Sequence, residues 1–328
     1  MALQDDFNES ADDWYTLVRG SYAGVPRADS GNTVLVRNML RLVVADTPAL
    51  QDHAETVEAA LLILSQSPHA RQLAQIAIAG NYSIRIGAIA HDSDTADASG
   101  YTDHLNRRIY IAPKTDENAA LRMALGLSHE LAHVAQQEKG FEFSVLKQQP
   151  AASIRELLAL EGDARAHEFI VALELAYKSA SDPDERLLFP NALDVAADTI
   201  GSGMSKKVIE HFRPQFPDID RDEMMARIFK SFYASIPLRA HYEGTILKAL
   251  EKVDAIDTAN PALFQNDFDA AATLKKLGGY AEKSAKYLAL DSPQMAGLTA
   301  ETLETLAFWQ QKRDTKPAAP TPKKAPAP

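Results

Sequence analysis

The run Gly126-Leu127-Ser128-His129-Glu130-Leu131-Ala132-His133-Val134-Ala135 sets three ionisable side chains in an otherwise uncharged stretch. A solvated helix carries charges along its outer face, so this composition predicts a helix buried on most sides and lying beneath a cleft. Four residues along an α-helix return to nearly the same face, which brings the imidazoles of His129 and His133 side by side. Two such rings can grip one divalent cation. Glu130 follows the first of them by one position and projects beside that cation, where it can take a proton from a water.

Working outward, Pro113 followed by Thr115, Asp116 and Glu117 predicts the start of this helix, with acidic residues where the dipole favours them. Lys139-Gly140 predicts its end near Glu138. Upstream, Tyr82, Ile84, Ile86 and Ala88 alternate with Ser83, Arg85 and Gly87, which reads as a strand. The Asp- and Ser-rich segment from His91 to Gly100 reads as a loop, and Arg108-Ile109-Tyr110-Ile111 as a second short strand. From Asn32 to Ala79 the apolar residues recur at helical spacing and predict two or three helices.

Downstream, a helix is expected from Ser153 to Lys178 with Ser181-Asp182-Pro183 as its terminator. The chain then reads as mostly helical through Gln310, broken at Pro190, Pro214 to Pro217, Pro237 and Pro261. The closing KPAAPTPKKAPAP cannot bury a core and reads as disordered. The expectation is a mainly helical α+β protein: an N-terminal extension 1–30, a core 31–180, a helical C-terminal region 181–313 and a tail 314–328.

Bulk chemistry narrows the function. The 328 residues include no cysteine, so a metal must be held by imidazole and carboxylate groups. A net charge of -11 without a basic stripe argues against a nucleic-acid partner. No apolar run of membrane-spanning length occurs, so no membrane partner is expected, and the acidic, polar start MALQDDFNES points to a cytoplasmic location.

A catalytic zinc takes three protein ligands and keeps a fourth position open. Six residues after His133, where a metzincin has its third histidine, stands Lys139, so the third ligand must come from elsewhere. The segment from Ile154 to Glu168 offers Glu156, Glu161 and Asp163. Glu156 and Asp163 are seven residues apart and share a helical face, while Asp163 and His167, four apart, can pair.

These residues resemble the gluzincins, in which the two-histidine helix is followed by a second helix presenting a glutamate ligand. Leu160-Glu161-Gly162-Asp163-Ala164 also resembles the Glu-x-Asp-Ala signature of small bacterial metallopeptidase-like domains of uncharacterised function. The likeness covers Tyr82 to His167. It implies a short sheet, the active helix and a ligand helix, with Zn²⁺ held by His129, His133 and Glu161 and Asp163 in support. It further implies a zinc metallopeptidase that hydrolyses a peptide or protein substrate by water, with Glu130 as general base. The strand Arg108 to Ile111 would border the cleft and pair with extended substrate. In thermolysin-like members a supporting Asp stands four residues after the ligand Glu; here that position is Arg165. For the oxyanion, Tyr101, His104, His211, His241 and Tyr242 are candidates without a spacing argument. The rival reading is a metal-binding regulatory or interaction protein that does not cleave.

Overall fold

The computed structural model describes residues 30–44, 48–87, 100–141, 148–181, 192–200, 211, 214, 221–256, 268–277 and 297–314. The expected extension up to residue 29, the terminator at Asp182-Pro183 and the tail beyond residue 314 lie outside them.

The apolar periodicity between Asn32 and Ala79 resolves into three helices: α1 (Ser30–Leu42), α2 (Pro48–Ser65) and α3 (Pro68–Ala79). Leu35, Val36 and Met39 bury one stripe of α1, whereas α2 is buried nearly all round from Val57 to Ser65. The α3 helix starts where local chemistry dictates: the Ser67 side chain accepts from the Ala70 amide, and Pro68 takes the first turn, where no amide is needed.

Among the described residues four strands make one sheet: β1 (Val43–Val44), β2 (Ser83–Ile86), β3 (Gly100–Asp103) and β4 (Arg108–Ile111), in the order β1-β2-β4-β3. The first two pairings are parallel and β3 runs antiparallel to β4, with Gly100 opposite Ile111 and Thr102 opposite Ile109. Ile84, Ile86, Ile109 and Ile111 alternate inward and join the core. The sheet corrects one expectation. β4 is paired on both sides, so it has no edge to offer a substrate; among the described residues the edge strands are β1 and β3, and β3 falls in a stretch that the sequence pattern does not mark as a strand.

Helix α4 (Ala119–Glu138) begins four residues later than Thr115 suggests. Asp116 Oδ1 accepts from the Asn118 amide and the Asp116 carbonyl from the Ala119 amide, so Asp116–Ala119 form a turn before the helix. The next helix, α5 (Pro150–Ser181), is longer than expected and forms the spine of the molecule. Beyond it lie α6 (Ala192–Ile200), α7 (Arg221–Ala234), α8 (Ile236–Ile256), α9 (Ala270–Leu277) and α10 (Ala300–Asp314). Pro237 sits in the first turn of α8, so it marks a start after Ser235 rather than a break. α5 packs against α3, α4, α6, α7, α8 and α9. A Cβ at Gly162 would lie 3.0 Å from the Phe229 and Phe232 rings, so a bare glycine lets α7 close on α5 beside Glu161. The result is mainly helical α+β, and no helix among the described residues is long and apolar enough to cross a membrane.

Candidate metal centre

Helix α4 supplies His129, Glu130 and His133, and α5 crosses it with Glu161, Asp163, Arg165 and Glu168. Because α4 is sandwiched by α2, α3, α5 and the sheet, fifteen of its residues are buried, from Ala119 to Gln136. Its polar groups therefore need partners inside the protein.

His129 Nε2 lies 3.2 Å from His133 Nε2 and 3.3 Å from Glu161 Oε2, and His133 Nε2 lies 3.6 Å from Glu161 Oε1. These are the three residues, among those described, whose ligand atoms gather closely enough to hold a metal ion. For ligands about 2.0–2.1 Å from a tetrahedral centre, adjacent donor atoms stand about 3.3–3.4 Å apart, so the observed edges match such a cation.

The outer nitrogens sharpen the argument. His133 Nδ1 is 2.9 Å from Gln136 Oε1, and the Gln136 amide nitrogen donates to Asp163 Oδ2 at 2.8 Å and to the Leu160 carbonyl at 3.1 Å. The amide oxygen is thereby committed to His133 and accepts a hydrogen bond from its Nδ1. His129 Nδ1 faces Glu168 Oε2 at 3.5 Å, and that oxygen accepts from Arg165 Nη1 at 2.7 Å. Both rings have acceptors behind them, so in the neutral tautomers both Nε2 lone pairs and a carboxylate point at one spot. A cation between them relieves the repulsion.

In the metal-free chain a proton serves. Burial and the Arg165 charge push the His129 imidazolium down, yet the carboxylates of Glu161 and Glu168 outweigh both and lift it to about 9. Burial pushes Glu161 up, but His133, His129 and Arg165 bring it down to about 2. Glu168, for which burial also opposes ionisation, is held below the usual carboxylate range, first by Arg165 and then by His129.

Glu130, the next residue along α4, meets β3. Thr102 Oγ1 donates to Glu130 Oε2 at 2.7 Å and also lies 3.2 Å from the Glu130 carbonyl. A Cβ at Gly100 would stand 2.6 Å from Glu130 Oε1, so any side chain there would displace the carboxylate.

The remaining candidates separate clearly. Asp163, fully buried, supports Gln136 and is not among the three gathered ligand atoms; neither is Glu156, whose surroundings are Gln148, Lys276 and Asp269. Arg165 Nη2 donates to the Tyr242 hydroxyl at 3.2 Å, bringing α8 to the centre, and burial holds that phenol protonated well above its usual range. His104 is kept neutral, down to about 4, by burial and the nearby His133. Tyr101 is on β3 and stacks with Tyr110, while His211 pairs with Arg227 and His241 is exposed. Sequence reasoning missed Glu168 and Gln136. A seven-residue spacing links each to a ligand, Glu161 to Glu168 and His129 to Gln136, which places them on the ligand faces of their helices.

A family model described as "Putative metallopeptidase family (DUF6782)" matches residues 37–249. The chain belongs to this family. That description agrees with a centre whose donors are two imidazoles and a carboxylate. The matched span runs past Tyr242, so the family's extent includes α7 and the part of α8 that touches the centre. No curated protein and no solved structure matches the chain.

Proposed function

We propose that the chain is a zinc-dependent peptidase in which His129, His133 and Glu161 hold the metal and Glu130 is the general base. The observation that carries this reading is the convergence of two Nε2 atoms and a carboxylate at 3.2–3.6 Å, with the outer nitrogen of each ring facing an acceptor. Two histidines and a glutamate form a recognised donor set for catalytic zinc. Bound zinc supplies Lewis-acid polarisation of a peptide carbonyl and brings the pKa of a water from about 15.7 down to roughly 7.

The chain's own groups do the rest. The Glu130 carboxylate takes the proton of the attacking water and returns it to the leaving amine nitrogen. Thr102 keeps that carboxylate from swinging, and the missing side chain at Gly100 leaves it room. β3 pairs with β4 on one side and lies against α4, and its other edge, unpaired among the described residues, suits an extended peptide added as a further strand. Arg165 and the protonated Tyr242 hydroxyl stand on the Glu161 side of the centre, where positive charge and a hydrogen-bond donor favour a developing oxyanion.

The experiment is a comparison of Glu130→Gln with the unaltered chain, by metal analysis and by cleavage of an unfolded protein substrate such as casein. A peptidase keeps about one zinc per chain and loses turnover by two or more orders of magnitude, since the base is gone while the ligands remain. Zinc binding without cleavage in the unaltered chain would favour the metal-binding, non-cleaving alternative.

A further inference from the structure

The two ligand rings are held from behind in different ways, and the His133 side leads further into the protein than any metal ligand set requires. From His133 Nδ1 the path runs to Gln136 Oε1 at 2.9 Å, and from the Gln136 amide nitrogen to Asp163 Oδ2 at 2.8 Å. Asp163 Oδ2 faces His167 Nε2 at 3.6 Å, and His167 Nδ1 is 2.6 Å from His69 Nε2, with the two rings stacked at 4.9 Å and 15°. His69 lies in the first turn of α3, where its backbone amide donates to Glu174 Oε2 at 3.0 Å, an oxygen that also accepts from Ser67 Oγ. All five polar side chains behind His133, from Gln136 to Glu174, are buried.

We propose that Gln136, Asp163, His167 and His69 are positioning residues that fix the tautomer and tilt of the His133 ring for the metal. Each step transmits geometry. The Gln136 amide has both its ends assigned, because its nitrogen is taken by Asp163 and by the Leu160 carbonyl, and so its oxygen can only face His133. Asp163 fixes the amide by accepting from it, and its negative charge behind the amide dipole strengthens the oxygen's hold on the Nδ1 proton. The stacked histidines tie Asp163 to α3, an element that supplies none of the three ligands. Groups behind the ligands typically change metal affinity about ten- to a hundred-fold when removed. The inference rests on the zinc reading above, and its test separates the two.

The measurement is zinc affinity of the full-length chain by competition with a chromophoric chelator. Gln136→Met, of similar shape and without polar atoms, is expected to bind zinc about ten- to a hundred-fold more weakly. His167→Phe, which preserves the stack, is expected to weaken it by a smaller factor. The double variant should bind no more weakly than Gln136→Met alone, because His167 reaches His133 through Gln136; independent structural effects would instead add. Asp163→Asn retains shape and an acceptor while removing charge, and its weakened binding, in a chain with an unchanged circular dichroism spectrum, carries the test should Gln136→Met not fold. Unchanged affinity in Gln136→Met or Asp163→Asn, or additive losses in the double variant, overturns the proposal. Zinc bound by the unaltered chain, lost in His133→Ala and indifferent to these variants would end this inference alone. No zinc in the unaltered chain would end the functional reading with it.

Discussion

Helix α4 is flanked by two supports of opposite character. On its α5 side, His129, His133 and Gln136 meet Glu161, Asp163, Arg165 and Glu168 in a dense, buried, charged layer. On its β3 side, Glu130 meets one hydroxyl and one absent side chain. Holding a cation takes several fixed charges at once, while holding a base takes a single orienting bond and space to sit. Substitutions on the two sides should accordingly fail in different ways: on one, the metal goes; on the other, turnover goes and the metal stays.

The largest effect is expected on the charged side. Glu168→Ala removes the buried carboxylate that pairs with Arg165 and faces His129 Nδ1, and should cost about 3–5 kcal/mol of stability in urea denaturation together with much of the metal affinity. A folded variant of undiminished stability would show that the layer is not a working ion-pair network. Gly100→Ala comes next. Its Cβ would sit 2.6 Å from Glu130 Oε1, so the carboxylate must move, and turnover should fall roughly a hundredfold with zinc content unchanged. Thr102→Val removes only the hydroxyl and should lower kcat about tenfold with little change in KM, Thr102→Ser restoring it. Loss of zinc from either β3 variant would erase the contrast between the two sides.

The smallest effect is protonic. His129 is raised from 6.5 to about 9 in the metal-free chain, so its contribution to stability is fully present below pH 6.5 and is lost as the pH rises through 9. Zinc must displace that proton. Calorimetry near pH 7.5 in buffers of different ionisation enthalpy should therefore find about one proton released per zinc bound.

The two sides also differed in how far the sequence revealed them. The pair His129 and His133 is legible because a four-residue spacing on a helix has one geometric meaning. Glu161 was reachable only through resemblance, since α5 is buried nearly all round from Ala152 to Leu175 and no polar stripe tells which carboxylate faces α4. The same uniform burial hid Glu168. The position held by Asp in thermolysin-like chains is Arg165 here, and it is Glu168, three residues further on, that backs His129. β3 was hidden for another reason. Gly100-Tyr101-Thr102-Asp103 sets only two strand-favouring residues between a Gly and an Asp, too short a run to show an alternation, and its conformation comes from pairing with β4 and the bond from Thr102 to Glu130. Pro237 likewise reads as a breaker until its place in the first turn of α8 is seen.

X-ray absorption at the zinc edge of the purified chain addresses the central claim most directly. Two imidazole nitrogens and a carboxylate oxygen at about 2.0–2.1 Å, with the outer-shell scattering of two rings, are predicted, falling to one ring in His133→Ala. A first shell without imidazole scattering, or one that His133→Ala leaves untouched, would contradict the account.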